Sequence, residues 1–318
     1  MKRVYVTGGS GFLGHSLVRG LVGAWDEVDL VVSADLREPG PEQRIEGVIY
    51  ATADVTDAQV ISDQILDNGI DTVVHLASIV NPGKSTTVEQ EYAVDVDGSR
   101  NVFEACVRHG VKRVVVSSSG AAYGYHADSP AWLTEDDPVR GTDTFPYSLH
   151  KRLVEEMLAG YRESAPQLEQ VVLRIGTILG ETVDNQITDL FRKKRLLKIR
   201  GSDSPFVFIW DQDVVGVILQ AVLGEKTGIY NVAGDGSMTI DEIAAELGKG
   251  VLPVPVGALK AGLAAAHRFG LTPHGAAQTD FLEFRPVLDN TRLKEEFGYT
   301  PKYTTREAFT AWREAHDL

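Results

Sequence analysis

The sequence predicts an α/β fold, a doubly wound parallel sheet with a smaller C-terminal lobe. Three observations predict it. Six short runs rich in β-branched residues, each bounded by charge or glycine, alternate with helix-length segments up to Gly176. A glycine-rich turn, "TGGSGFLG" (7–14), stands between the first such run and the first amphipathic stretch. Asp35 closes the second run, 21 residues after Gly14.

The strands are read in order as "RVYVTG" (3–8), "DLVVSAD" (29–35), "GVIYATAD" (47–54), "DTVVHLAS" (71–78), "KRVVVSSS" (112–119) and "EQVVLRIG" (169–176). Near-continuous apolar runs of this kind are buried on both faces, as strands of a parallel sheet are. A long helix is predicted from Val88 to His109. Tyr92, Val96 and Phe103 fall on a helical period there, and Gly110 follows as the C′ residue. Another helix is expected to begin just after Pro146, within "FPYSLHKRL" (145–153). After Gly176 the pattern loosens. "FVFIWDQDVVGVILQAVLG" (206–224) reads as strand then helix, and "GIYNVAG" (228–234) as another strand. The rest is helical and loop-rich, with prolines at 253, 255, 273, 286 and 301. "GALKAGLAAAHRFGL" (257–271) is apolar, but its length and Lys260, His267 and Arg268 indicate a packed amphipathic helix rather than a membrane span. The expected organisation is a nucleotide-binding domain over 1–176 with a return segment 206–234, and a substrate lobe from 177–205 and 235–318.

Composition narrows the function. Hydrophobic residues make up 43% of 318, enough for a packed core, and the formal charge is −14. An acidic chain argues against binding a phosphate backbone, so no nucleic-acid partner is expected. The one cationic cluster, "FRKKRLLKIR" (191–200), reads as a solvated helix face, with an anionic substrate as the sharper alternative. The single cysteine, Cys106, lies inside a helical pattern and is expected to be a small core hydrophobe in a reducing cytoplasm. No signal-like segment and no bilayer-length apolar run is present. The eight histidines show no ligand spacing, so no metal site is expected.

Two stretches carry the chemistry. In "YVTGGSGFLGHSL" (5–17), Gly8, Gly11 and Gly14 let the backbone turn tightly and approach a pyrophosphate at a helix N-terminus. Asp35 can take both ribose hydroxyls of an adenosine and repel a 2′-phosphate, which favours NAD over NADP, although Arg37 leaves some room for the latter. The second stretch holds Tyr147 and Lys151, four positions apart on one helical face. A phenol is a poor base at neutral pH, and a nearby cation or an oxidised nicotinamide ring corrects that. The pair can therefore take the proton from an alcohol while its hydride leaves for the nicotinamide. Ser119, at the carboxyl end of a central strand, offers a hydroxyl to the same oxygen.

Together these stretches resemble the extended short-chain dehydrogenase/reductase superfamily, of the NAD-dependent epimerase/dehydratase type with its Rossmann sheet. The resemblance covers essentially the whole chain. It is carried by "TGGSGFLG", Asp35, "ADVTD" (53–57), "VVHLAS" (73–78), "YAVDVDGSRNVFEAC" (92–106), "SSSGAAYG" (117–124), "YSLHK" (147–151) and "FVFIWDQDVV" (206–215). It implies an enzyme with Tyr147 as acid/base, Lys151 on the nicotinamide ribose and Ser119 on the reacting oxygen. Implied NAD contacts are Gly8, Gly11, Phe12, Leu13, Gly14, Asp35, Leu36, Arg37, Asp54, Val55, Leu76, Ala77, Ser78, Asp95, Tyr147, Lys151 and Gly176. Implied substrate contacts are Asn81, Ser119, Gly120, Tyr147, Thr177 and Phe206. Relatives commonly dimerise through the 88–109 helix and the helix carrying Tyr147, so a homodimer is expected.

Four positions depart from the family pattern. Asp95 stands where many relatives have asparagine, and is expected near Lys151. Ser119 is followed by Gly120 and Ala121 instead of the Asp-Glu pair of the 4,6-dehydratases. Thr177 replaces an asparagine near the substrate. Pro205 and Phe206 occupy the place of a diphosphate-binding arginine. Either another cation among Arg192, Lys193, Lys194, Arg195, Arg200 and Arg285 replaces it, or the substrate carries no diphosphate and is smaller or less charged than a UDP-sugar; the plain reading of Phe206 itself is that it packs beneath the strand. The leading expectation is an epimerase of a sugar or nucleotide sugar. The rival is a net dehydrogenase or reductase on a smaller alcohol or ketone, and a non-catalytic NAD-binding regulator is the reading from a different class.

Overall fold

The computed structural model describes residues 1–83, 85–268 and 279–318. Its strands are β1 (Lys2–Thr7), β2 (Val28–Asp35), β3 (Ile49–Thr52), β4 (Thr72–His75), β5 (Arg113–Ser119), β6 (Glu169–Ile175), β7 (Thr177–Leu179), β8 (Arg195–Ile199), β9 (Phe208–Trp210), β10 (Gly228–Val232) and β11 (Gly250–Val254). The helices are α1 (Phe12–Val22), α2 (Ala58–Asp67), α3 (Val88–Tyr92), α4 (Gly98–Arg108), α5 (Pro146–Ser164), α6 (Gln186–Arg192), α7 (Asp211–Leu223), α8 (Ile240–Glu246), α9 (Val256–Arg268), α10 (Thr279–Glu283) and α11 (Thr305–Ala315).

Seven strands form one parallel sheet in the order β10-β6-β5-β4-β1-β2-β3. The order reverses between β1 and β4, so the carboxyl ends of these two strands flank the crevice where such sheets bind ligands. Each face of the sheet carries its own core. One is built from Leu17, Leu21, Val217 and Ile218 of α1 and α7. The other is built from Ile61, Ile65, Val102, Phe103 and Cys106 of α2 and α4. A third core, around Phe191, Phe206, Phe208, Phe309 and Trp312, belongs to the late segments. No helix among the described residues is long and apolar enough to cross a membrane.

Local chemistry sets the helix starts. Thr87 and Gln90 form a reciprocal capping box on α3, and Asp57 caps α2. Pro146 occupies the first turn of α5, where its missing N–H costs nothing.

Four details differ from the sequence reading. The helix expected over 88–109 is interrupted by a π-helical turn at Ala93–Asp97. The cationic run 191–200 is not a helix face. α6 ends at Arg192, and Arg195–Ile199 is a strand paired in parallel with β11, with Leu196 and Ile199 turned into the third core or buried beside it. Its mixed charge and apolar order resembles a solvated helix, but five residues with two buried aliphatics satisfy a strand equally well. β9 pairs with β7 in a separate two-stranded sheet, so from the return segment 206–234 only β10 joins the main sheet. β11 is a strand inside a region expected to hold only helices and loops. Within the apolar stretch 257–271, α9 covers the described part, while 269–271 and Pro273 lie outside the described residues.

Candidate active site

The glycine turn joins β1 to α1 and packs on the end of β4. A Cβ on Gly14 would stand 2.1 Å from the carbonyl oxygen of Gly8, so no side chain fits there. The Asp35 carboxylate, at the end of β2, accepts the Ser10 N–H at 3.0 Å and the Leu36 N–H at 2.8 Å. This brings Gly8, Gly11, Phe12, Leu13, Gly14, Asp35 and Leu36 to one end of the sheet. Gly11 precedes α1 and gives it no side-chain cap, and the Ser10 hydroxyl is buried without a hydrogen-bond partner. Uncapped N–H groups and an orphaned hydroxyl at a helix N-terminus fit a pyrophosphate, so the residues present suit NAD. Leu76 and Ala77, after β4, present their N–H groups to Thr7 Oγ1 at 3.2 and 3.3 Å. Asp54 is exposed and takes the Thr56 hydroxyl, while Val55 is buried and its carbonyl accepts from Asn101. Arg37 and Asn81 stand exposed.

Ser119, Tyr147 and Lys151 come together where β5 ends against the start of α5. Ser119 Oγ accepts the Ala121 N–H at 3.1 Å. Ser148 Oγ donates to the Ala121 carbonyl at 2.6 Å, which ties the first turn of α5 to the loop after Ser119. Lys151 is buried, donates from Nζ to the Ser117 carbonyl at 2.9 Å, and lies 5.6 Å from the centre of the Tyr147 ring. One helical turn further on, Glu155 holds Arg174 of β6 at 2.7 Å and accepts the Ser118 hydroxyl at 2.5 Å. The buried ion pair fixes the helix carrying Tyr147 and Lys151 to β6, and the Ser118 bond fixes it to β5, the strand carrying Ser119.

Asp95 is placed by the π-helical turn, a form that recurs at functional sites. Its carboxylate is bonded to groups other than Lys151. Oδ1 accepts from Ser78 Oγ and the Ile79 N–H at 2.9 and 2.8 Å, and Oδ2 faces His150 Nδ1 at 3.0 Å. Lys151 acts only at longer range. Burial alone would raise the Asp95 carboxyl, but the His150 contact, the Lys151 charge and the Ile79 and Ser78 bonds together hold it below the usual carboxylate range. His150 escaped the sequence reading because a lone histidine beside Lys151 carries no pattern.

His75 ends β4 between Thr7 Oγ1 at 2.8 Å and Ser99 Oγ at 3.0 Å. Burial, with Lys151 adding its charge, lowers this imidazole to about 3. Unfolding restores an ordinary imidazole near 6.5, so between these values the unfolded chain binds a proton that the folded one does not. Stability is therefore complete above about pH 6.5 and falls below it, by up to about 1.4 kcal/mol per pH unit from this group. Urea midpoints should drop between about pH 7 and pH 5, and His75→Gln should flatten that slope. A wild-type midpoint that does not change over this range would contradict the assignment.

The remaining predicted residues lie on the side of the late segments. Gly176 donates its N–H to the Val232 carbonyl, and Thr177 opens β7 with its N–H toward Val207. A Cβ on Gly120 would touch Leu288 at 3.2 Å. Phe206 is 2% exposed in the third core. The Arg285 guanidinium lies over its ring, 3.8 Å from the centre. Arg285 Nη1 donates to the Ser204 carbonyl at 2.7 Å, while Nε is buried with no acceptor. No carboxylate among the described residues pairs with it, and burial lowers the guanidinium to about 9. A small cavity bounded by Lys193, Arg195, Leu197, Ile240 and Leu282 opens beside it.

A Rossmann sheet with an NAD-fitting glycine turn and a Ser/Tyr/Lys cluster at its carboxyl ends defines a short-chain dehydrogenase/reductase class of protein. The sequence matches the NAD dependent epimerase/dehydratase family over residues 4–233, and the chain belongs to that family. An uncharacterized protein of Mycobacterium tuberculosis is 27% identical over 315 residues, covering 97% of this chain and 82% of that relative. A UDP-glucose 4-epimerase of Neisseria meningitidis is 30% identical over 186 residues, 57% of this chain and 54% of that enzyme. Among solved structures, the Thermus thermophilus UDP-glucose 4-epimerase in complex with NAD is 25% identical with a TM-score of 0.73, covering 99% of both chains. The fold is also shared with the Thermotoga maritima UDP-glucose 4-epimerase bound to UDP-glucose, with a TM-score of 0.75, 19% identity and coverage of 99% of this chain and 98% of that one.

Proposed function

We propose that the protein oxidises a secondary alcohol of a nucleotide sugar to a transient ketone and then returns the hydride, as an epimerase does. The observation that carries the nucleotide-sugar reading is Arg285. A partly buried guanidinium with no carboxylate partner is costly unless an anion reaches it. Its remaining N–H donors suit phosphate oxygens, and it stands over Phe206, where the family's arginine is missing. The nucleotide-sugar ligands of the solved relatives support the same reading.

In this proposal Ser119 donates to the reacting oxygen and Tyr147 takes its proton. Lys151, held by the Ser117 carbonyl, stabilises the phenolate and reaches the nicotinamide ribose. Bound NAD supplies the hydride acceptor. Gly120 and Ala121, following Ser119, offer no acid or base for an elimination, which favours epimerisation over dehydration. The exposed Val88 and Tyr92 on α3 are the face through which we propose the homodimer forms.

Calorimetry of the NAD-loaded protein tests the substrate class. UDP or TDP should bind with a dissociation constant of tens of micromolar or tighter, about −6 kcal/mol. Arg285→Ala should weaken that binding by about 1.5–3 kcal/mol, the range for hydrogen bonds to a charged group. Wild-type protein that binds neither nucleotide would instead support the smaller, uncharged substrate.

Cofactor choice is tested by titration. NAD should bind at least about tenfold more tightly than NADP, a difference of about 1.4 kcal/mol, because the Asp35 carboxylate repels a 2′-phosphate. Asp35→Ala should narrow or reverse the gap, with Arg37 beside it. Equal affinities in the wild type would count against this role for Asp35.

A further inference from the structure

We propose that Tyr125 is a substrate-specificity residue whose phenolic hydroxyl hydrogen-bonds a hydroxyl of the sugar. This inference rests on the nucleotide-sugar reading and extends it to a residue outside the Ser/Tyr/Lys set.

Tyr125 follows Gly124 in the loop after β5. Gly124 has φ +84°, and a Cβ on it would lie 2.2 Å from the Gly141 carbonyl oxygen, so only glycine allows the turn. The Tyr125 N–H is tied to Thr142 Oγ1 at 2.9 Å. Backbone and ring are thus held firmly. The ring meets Phe145 edge-on at 5.3 Å and Phe281 edge-on at 5.4 Å. Phe145 is two residues before Tyr147, and Phe281 lies 5.6 Å from the Arg285 guanidinium. The three rings therefore span the interval between the proposed proton acceptor and the proposed phosphate-binding arginine. A sugar joined to a diphosphate must cross that interval.

The hydroxyl is the telling feature. Tyr125 is 7% exposed, and its phenolic oxygen makes no hydrogen bond among the described residues and is not one of the fully enclosed orphaned atoms there, so an incoming group can reach it. Buried tyrosines ordinarily find a partner for this group. Its environment is felt from both ends of the interval. Burial raises the phenol far above its ordinary value, Tyr147 adds to that, and Arg285 opposes it. Phe145 and Phe281 add apolar faces suited to the C–H side of a pyranose. A site that keeps one unpaired hydroxyl among aromatic rings discriminates well, because a sugar lacking the matching hydroxyl leaves the phenol unsatisfied.

The test uses NAD-loaded protein, UDP-glucose and UDP, with wild type and Tyr125→Phe compared by calorimetry, and thermal unfolding of both proteins without nucleotide. Tyr125→Phe should weaken UDP-glucose about tenfold and leave UDP unchanged, since UDP carries no sugar. Its melting temperature should stay the same or rise, because the lost hydroxyl bonds nothing inside the protein. Equal UDP-glucose affinity in the two proteins would overturn the inference alone. So would a melting temperature lowered by several degrees with UDP weakened as much as UDP-glucose, since that marks a structural hydroxyl. Wild-type protein that binds neither compound would overturn the nucleotide-sugar reading and this inference with it.

Discussion

Tyr147→Phe should lower turnover by roughly 10²–10⁴-fold, the usual contribution of general acid–base catalysis, and leave NAD affinity unchanged. The phenylalanine ring keeps the shape of the first turn of α5. It removes only the oxygen proposed to exchange a proton with the substrate. Lys151 would still donate to the Ser117 carbonyl, so the cofactor side keeps its geometry. Lys151→Ala should damage both properties, because the proposal gives the ammonium both the phenolate and the ribose to serve. Steady-state rates and NAD titration of the two variants separate these roles. A Tyr147→Phe enzyme retaining more than about a tenth of wild-type turnover would show that another group moves the proton.

The second large effect is on stability. Glu155 and Arg174 are each buried, and their pair is bonded at 2.7 Å. Arg174 also donates from Nη1 to the Tyr123 hydroxyl at 2.7 Å, and Tyr123 donates in turn to Asn231 at 2.9 Å. Glu155→Ala leaves the guanidinium in the interior with no directly paired carboxylate, Glu135 acting only at longer range, and removes the acceptor of Ser118. The expected loss is about 3–5 kcal/mol, a large fraction of a typical folding free energy. Replacing both members, as Glu155→Met with Arg174→Met, should cost less than Glu155→Ala alone, because no unpaired charge stays behind. Denaturant midpoints of the three proteins decide it. A Glu155→Ala loss below about 1 kcal/mol would mean that water reaches the pair and screens it.

The parts of this molecule that a reader of the sequence can find are those written in consecutive residues. The glycine turn, Asp35 at the end of β2 and the i, i+4 spacing of Tyr147 and Lys151 each follow from local geometry. The parallel sheet follows because buried strands and intervening helices leave opposite periodicities in the chain. What escapes is what tertiary packing assembles from distant single residues. His150 gains meaning only when the π-helical turn delivers Asp95 to it across 55 positions. Tyr125, Phe145 and Phe281 become one surface only after the late segments fold back over the loop after β5. Arg285 could be named only as one cation among several, because its place over Phe206 is a long-range contact. The 191–200 run misled for a related reason. Five residues are too few for a period to distinguish helix from strand, and the parallel pairing with β11 decided it.

Mixing NAD-loaded protein with UDP-glucose and following the near-ultraviolet absorbance of reduced nicotinamide tests the proposed hydride transfer. The absorbance should rise on mixing and fall again as the hydride returns to the sugar, with no such signal in Tyr147→Phe. A wild-type protein that binds UDP-glucose and shows no reduction of its cofactor, or the same reduction in wild type and Tyr147→Phe, would contradict it.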